Sequence, residues 1–179
     1  MIPRVGFYHL QKSSLEQALP RLLDRILASR QRALIMAGSA ERVAFLDSML
    51  WTQEPDSWIP HGTARDADAG LQPVFLTDRD ENPNDAQVLL LTDGVVSRRM
   101  EEFARCLTLF DGKDEEAVRA TRVLWKEWKG LGYDLTYYQQ TERGGWLEKA
   151  RANAPDGSNV GVAAGADTTN RVAAGGEEC

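Results

Sequence analysis

Residues 33–50, ALIMAGSAERVAFLDSML, decide the fold. The run Ala33 to Ala37 has no polar face, which is the pattern of a strand buried on both sides in a parallel sheet. Gly38 and Ser39 interrupt it, and Ala40, Val43, Ala44, Leu46 and Leu50 then recur at helical spacing. The same grammar holds upstream. Val5 to Leu10 reads as an apolar-aromatic strand, Ser13 with Glu16 as a capping box, and Leu15, Ala18, Leu19, Leu22, Leu23, Ile26 and Leu27 as a helix. Pro20 is the misfit there and predicts a kink or a later start. Downstream, strands are predicted at Pro73 to Thr77, Gln87 to Thr92, Cys106 to Phe110 and Tyr133 to Gln139, with a short helix over Val96 to Glu102 and a long one over 114–131. Strands alternating with helices imply an α/β domain whose mostly parallel, mixed sheet carries helices on both faces.

The chain of 179 residues fits one domain, placed at 1–149. From about Ala150 the composition turns to Ala, Gly, Asn, Asp and Thr without aromatics, so 150–179 is expected to be a disordered tail. Trp146, Leu147 and Ala150 are expected to form a last helical turn. Hydrophobic content of 42% and charged content of 27% are those of a globular protein, and no apolar run approaches the roughly 20 residues of a membrane span. The start, MIPRVGFYHLQKS, lacks the features of a signal peptide, so a cytoplasmic location is expected. Cys106 reads as a small buried hydrophobe, and Cys106 with Cys179 implies no disulfide framework. A net charge of −6 argues against DNA binding over the whole surface, leaving any nucleic-acid role indirect or local.

Signals for catalysis are sparse. The turn Ala37-Gly38-Ser39-Ala40-Glu41-Arg42 has one glycine, neither GxGxxG nor GxxxxGK[ST] occurs, and Glu41 would repel a pyrophosphate. The architecture is thus Rossmann-like without a dinucleotide fingerprint. His9 and His61 are too few and too isolated for a metal site, and a structural hydrogen bond suits His61 better than a general base. The acidic stretch Asp78 to Asp85 lacks the spacing and glycine of a calcium loop. No cofactor or metal is expected.

The long helix is different. At about 100° per residue, Ala117, Ala120, Leu124, Trp128 and Leu131 form one apolar stripe, read as the packed side. The neighbouring face carries Val118, Arg122, Trp125 and Lys129, flanked by Arg119 and Lys126. Between Ala117 and Leu131 stand four basic residues and one acidic residue, Glu127. Cations around an apolar centre suit a short anionic peptide ending in an aromatic or aliphatic residue. A solvated helix whose Lys and Arg stems cover Trp125 gives the same pattern. In the Pro-bounded segment Leu50 to Gly62, Trp51 is expected to cap the core, and Trp58 is either folded back or offered to a partner.

Three motifs together carry a resemblance. Phe7, Tyr8 and Leu10 on the first strand, L-W-x-x-x-P-x-S-W-I-P-H-G over Leu50 to Gly62, and W-K-x-W-K-x-x-G-Y-D-L over Trp125 to Leu135 resemble the chi subunit family of bacterial DNA polymerase III. The likeness extends over about Met1 to Tyr138. It implies a non-catalytic clamp-loader accessory subunit with two partners. One is the psi subunit, or a diverged equivalent. The other is single-stranded-DNA-binding protein, whose acidic carboxy-terminal tail ends in phenylalanine next to proline. DNA would be met only indirectly.

Carried onto this chain, the resemblance puts Arg122 and Lys126 on the tail's carboxylates, Val118 and Trp125 as walls for its phenylalanine, and Arg119 and Lys129 as longer-range attraction. It puts the psi contact at Trp58, Ile59 and Pro60. The chain departs from the family in having Trp for Tyr at 125 and Trp for Phe at 58, and in continuing past Leu135, where an added strand and helix could reach the basic helix face. The competing function is an α/β nucleotide-binding enzyme using the crevice near Gly38 and Asp93.

Overall fold

The computed structural model describes residues 2–52 and 58–155. Eight strands form one sheet: β1 (Arg4–Leu10), β2 (Ala33–Met36), β3 (His61–Thr63), β4 (Val74–Thr77), β5 (Val88–Leu91), β6 (Arg105–Asp111), β7 (Asp134–Gln140) and β8 (Trp146–Ala152). Their order across the sheet is β3-β4-β2-β5-β6-β1-β7-β8. All pairings are parallel except β7 with β8. The expected mixed, mostly parallel α/β sheet is therefore what the chain forms.

The helices α1 (Leu15–Ala28), α2 (Ala40–Trp51) and α3 (Glu115–Gly130) take their sides from the handedness of the crossovers. The connections β1-α1-β2 and β2-α2-β3 run toward one edge of the sheet, and β6-α3-β7 runs toward the other. Right-handed crossovers in opposite directions put helices on opposite faces. Leu19, Leu23, Ile26, Leu46 and Leu50 accordingly share one core cluster with Ile35, Leu76 and Leu90, while Trp128 lies in a second with Phe7, Leu34, Leu89 and Phe103. Strands β2 and β5 are buried at every position, as their apolar runs require.

Several local expectations need correction. The capping box uses Ser14 and Gln17, one residue later than expected. Ser13 instead accepts a hydrogen bond from Gln140 Nε2 at 2.6 Å, while Gln140 Oε1 receives the backbone N–H groups of Gln11, Lys12 and Ser13. Pro20 is buried inside a continuous α1, which forgoes one ladder bond to Glu16. Val96 to Glu102 yields only a 3₁₀ turn at Met100–Glu102. Trp146, Leu147 and Ala150 lie on a strand, because β8 folds back antiparallel on β7. That strand ends at Ala152, three residues past the expected domain boundary, and most of the expected disordered tail, 156–179, lies outside the described residues.

Candidate functional site

Reversal of crossover direction between β1 and β6 opens a crevice at the carboxyl ends of the strands, where open α/β sheets commonly bind ligands. A cavity of about 470 Å³ lies there, lined by Leu10, Phe110, Thr121 and Leu124 and rimmed by Glu16, Asp93, Asp111, Asp114 and Glu116, with Arg42. Its chemistry opposes the nucleotide reading. The turn leading into α2 would be the phosphate seat, but Asp93 occupies it: Oδ2 accepts the Gly38 N–H at 3.1 Å, and Oδ1 takes Arg42 Nε at 3.1 Å. A Cβ on Gly38 would stand 3.0 Å from the Asp93 Cβ, so this side chain fills the approach a pyrophosphate would need. Asp114 likewise satisfies the α3 amino terminus by accepting from Glu116 N and Ala117 N.

The α3 face is built on aromatic residues of the strands beneath it. Alternation places Phe7 and His9 of β1, Tyr137 of β7 and Phe110 of β6 on the side facing α3. Phe7 is fully buried. Trp125 meets Phe7 edge-on, with centroids 5.2 Å apart, and Tyr137 at 6.1 Å. Such contacts hold the indole in one orientation. Val118 and Trp125 are half-buried, so they border the packed side rather than stand clear of it. The packed stripe is turned from the expected one: Thr121 and Trp128 are buried, whereas Ala120 is exposed and Leu131 is 61% exposed. Thr121 is thus buried at 6% exposure where the sequence shows only a polar residue.

Arg122, Lys126 and Lys129 are exposed on α3, and none makes an ion pair among the described residues. Arg119 differs, since Glu115 holds it at 3.3 Å. Arg122 stands near enough to His9 and Tyr137 to act on both. Burial chiefly lowers the His9 pKa below its ordinary value; Asp111 opposes this and Arg122 adds to it. Burial raises the Tyr137 pKa, and Arg122 eases it back. His9 Nδ1 lies 2.7 Å from the Tyr137 hydroxyl. Sequence reading missed this support, although the alternation of Phe7 with His9 was visible. The added chain meets α3 at its carboxyl end, where Asn153 Nδ2 donates to the carbonyls of Lys129 and Tyr133.

At the second predicted site Trp58 is 73% exposed, Ile59 is buried at 1% and Pro60 is intermediate. Only Trp58 is thus presented; Ile59 anchors the segment in the core. Trp51 does not cap the core as expected: it is 60% exposed and lies over the His61 ring at 4.8 Å. His61 is structural, its ring nitrogens lying 2.6 Å from the Ile59 carbonyl and 3.3 Å from that of Asp47. Cys106 is buried, and burial pushes its thiol up to about 12, as befits an inert packing residue.

Residues 2–136 match the family described as DNA polymerase III chi subunit, HolC. The chain belongs to that family. A relative from Rickettsia prowazekii (strain Madrid E), named probable DNA polymerase III subunit chi, is 31% identical over 86 residues, which is 48% of this chain. The alignment spans 52% of that relative, about half its length. The match to the chi family contains Trp58 and every predicted α3 residue, and ends within β7, leaving β8 outside it. No helix among the described residues is long and apolar enough to cross a membrane.

Proposed function

We propose that this chi-family protein is a non-catalytic, cytoplasmic adaptor that joins the clamp loader to the acidic carboxy-terminal tail of single-stranded-DNA-binding protein. The observation that carries the reading is a half-buried indole, fixed edge-on by Phe7, beside exposed guanidinium and ammonium groups without ion pairs of their own among the described residues. An acidic peptide with a terminal aromatic ring satisfies both parts. Its carboxylates pair with Arg122 and Lys126, and its ring packs on Val118 and Trp125. Lys129 adds attraction, and Arg119 adds less because Glu115 already neutralises it. Charge-assisted contacts of about 1.5–3 kcal/mol each bring such a complex to the micromolar range, about 8 kcal/mol. Trp58, held out by buried Ile59, serves the psi-type partner on the clamp-loader side.

Titration of the full chain with the tail peptide tests this, beside Arg122→Ala. Saturable binding that weakens with salt and falls about 30-fold in the variant is the expected result. Absence of binding at about millimolar peptide, well above the micromolar expectation, sinks the reading.

A further inference from the structure

The face of β1, β7 and β8 opposite α3 carries arginines around half-buried aromatic rings, in a chain whose net charge is −6. A cavity of about 200 Å³ at the carboxyl end of β7 is lined by Arg21, Arg25, Arg143 and Trp146, with Gly144, Gly145 and no acidic residue. A second cavity, of about 110 Å³, lies at the amino end of the same strands, with Arg4, Arg105, Tyr8 and Tyr138 in its walls. An aromatic row bridges them: Tyr8 lies 5.0 Å from Tyr138 and 4.8 Å from Trp146. Gly6 makes this possible, because a Cβ there would stand 2.6 Å from the Tyr8 ring.

The acids nearby are largely spent. Asp134 pairs with Arg4, Glu142 with Lys12 and Glu148 with Arg151. Arg21, Arg25, Arg105 and Arg143 are exposed and have no ion pair among the described residues. The Arg21 guanidinium rests on the hairpin turn, 3.3 Å from where a Gly144 Cβ would be, and Gly144 has φ +77°. Guanidinium groups interleaved with aromatic rings match phosphates interleaved with bases, since arginine binds phosphate in bidentate fashion and every base has a stacking face. The seven residues of β7 give a track of about 20 Å at 3.3 Å per residue, enough for several nucleotides.

We infer that this face binds single-stranded nucleic acid directly, phosphates on Arg21, Arg25, Arg105 and Arg143, and bases against Trp146 and Tyr138. The contact is local, and it is independent of the tail-binding reading of α3. The test is fluorescence anisotropy of a labelled oligothymidine of about 12 nucleotides, within the 4–16 nucleotide range of small single-strand sites, with the full chain and no other protein. Four phosphates give a slope near −0.7 per phosphate, so binding weakens about 50-fold between about 50 and 200 mM salt, against about 7-fold in Arg21→Ala/Arg143→Ala. An abasic strand of equal charge binds about tenfold more weakly if bases stack. Arg122→Ala leaves binding unchanged, which separates this face from α3. The inference is overturned by no saturable binding at about 100 µM protein, far above a micromolar dissociation constant. It is also overturned by an unaltered salt slope in the double variant, or by equal binding of abasic and oligothymidine strands, which would mark a generic polyanion surface.

Discussion

The crevice at the strand ends and the outer face of α3 lie on either side of the same helix, yet their charges have opposite fates. In the crevice, anion-seeking groups are already answered from within the chain: Asp93 takes Gly38 N–H and Arg42, and Asp114 takes the first turn of α3. On the outer face Arg122, Lys126 and Lys129 are left to solvent. At the crevice, the chain's own carboxylates take up groups that would otherwise hold an anion.

The largest way to break this contrast is to move α3 itself. Gly112 joins β6 to α3, and a Cβ there would stand 2.6 Å from the Leu10 carbonyl and against the His9 ring. Neither the backbone carbonyl nor the packed ring can yield cheaply. Gly112→Ala is expected to cost about 3 kcal/mol, at the upper end of overpacking, and to lower Tm by about 10 °C, read by thermal unfolding. Arg122→Ala comes next: the fold is kept because the side chain is exposed, while tail-peptide affinity falls about 30-fold, the worth of a charge-assisted contact of about 2 kcal/mol. An unchanged dissociation constant by calorimetry would remove Arg122 from the site.

Opening the crevice is expected to cost less. Asp93→Ala leaves the Gly38 N–H without its acceptor, while Arg42 keeps Glu16 and the Thr92 hydroxyl keeps the Met36 carbonyl. It should destabilise by about 1–2 kcal/mol, and sulfate should then raise Tm in the variant but not in the parent, since the Gly38 N–H ahead of α2 becomes free beside Arg42. Equal sulfate responses would show that Asp93 does not hold that seat. The smallest effect concerns pH. The folded pKa of His9 is lowered, so below the ordinary value of about 6.5 the unfolded chain binds more protons and stability falls as pH drops toward the folded value. Tm measured from pH 7.5 to 5, a range spanning that value, should therefore slope less steeply in His9→Phe. A bound acidic peptide offsets Arg122 and should raise the His9 pKa, which NMR titration would detect.

Much of the fold was legible because strands buried on both faces declare themselves. Ala33 to Met36 and Val88 to Leu91 lack polar positions, and no helix of useful length fits them. What failed to show lies at the sheet margins. Strand β3 has three residues, His61, Gly62 and Thr63, too few for a period, and β8 reads WLEKARA because its residues face solvent on both sides. The candidate site was half legible. The cations and Trp125 could be read from helix spacing, whereas burial of Thr121 and exposure of Ala120 and Leu131 depend on how α3 is turned against β6 and β7. Trp58 could not be told from Ile59 as the presented residue, since both are large and apolar. The arginine face escaped because Arg21, Arg105 and Arg143 come from three distant segments and converge only through β1's place between β6 and β7.

That placement has a cost in time. Strand β1 is the first to leave the ribosome, yet its parallel partners begin at Arg105 and Asp134. At 5–20 residues per second, roughly 100 residues take about 5–20 s to synthesise. Meanwhile β2, β4 and β5 can pair with one another, but Val5, Phe7 and Leu10, all buried in the finished protein, wait without a sheet. Closure of the sheet around β1 is the non-local, slow event. The nascent chain therefore spends its most aggregation-prone interval with β1 unprotected, and chaperone demand should fall on that strand.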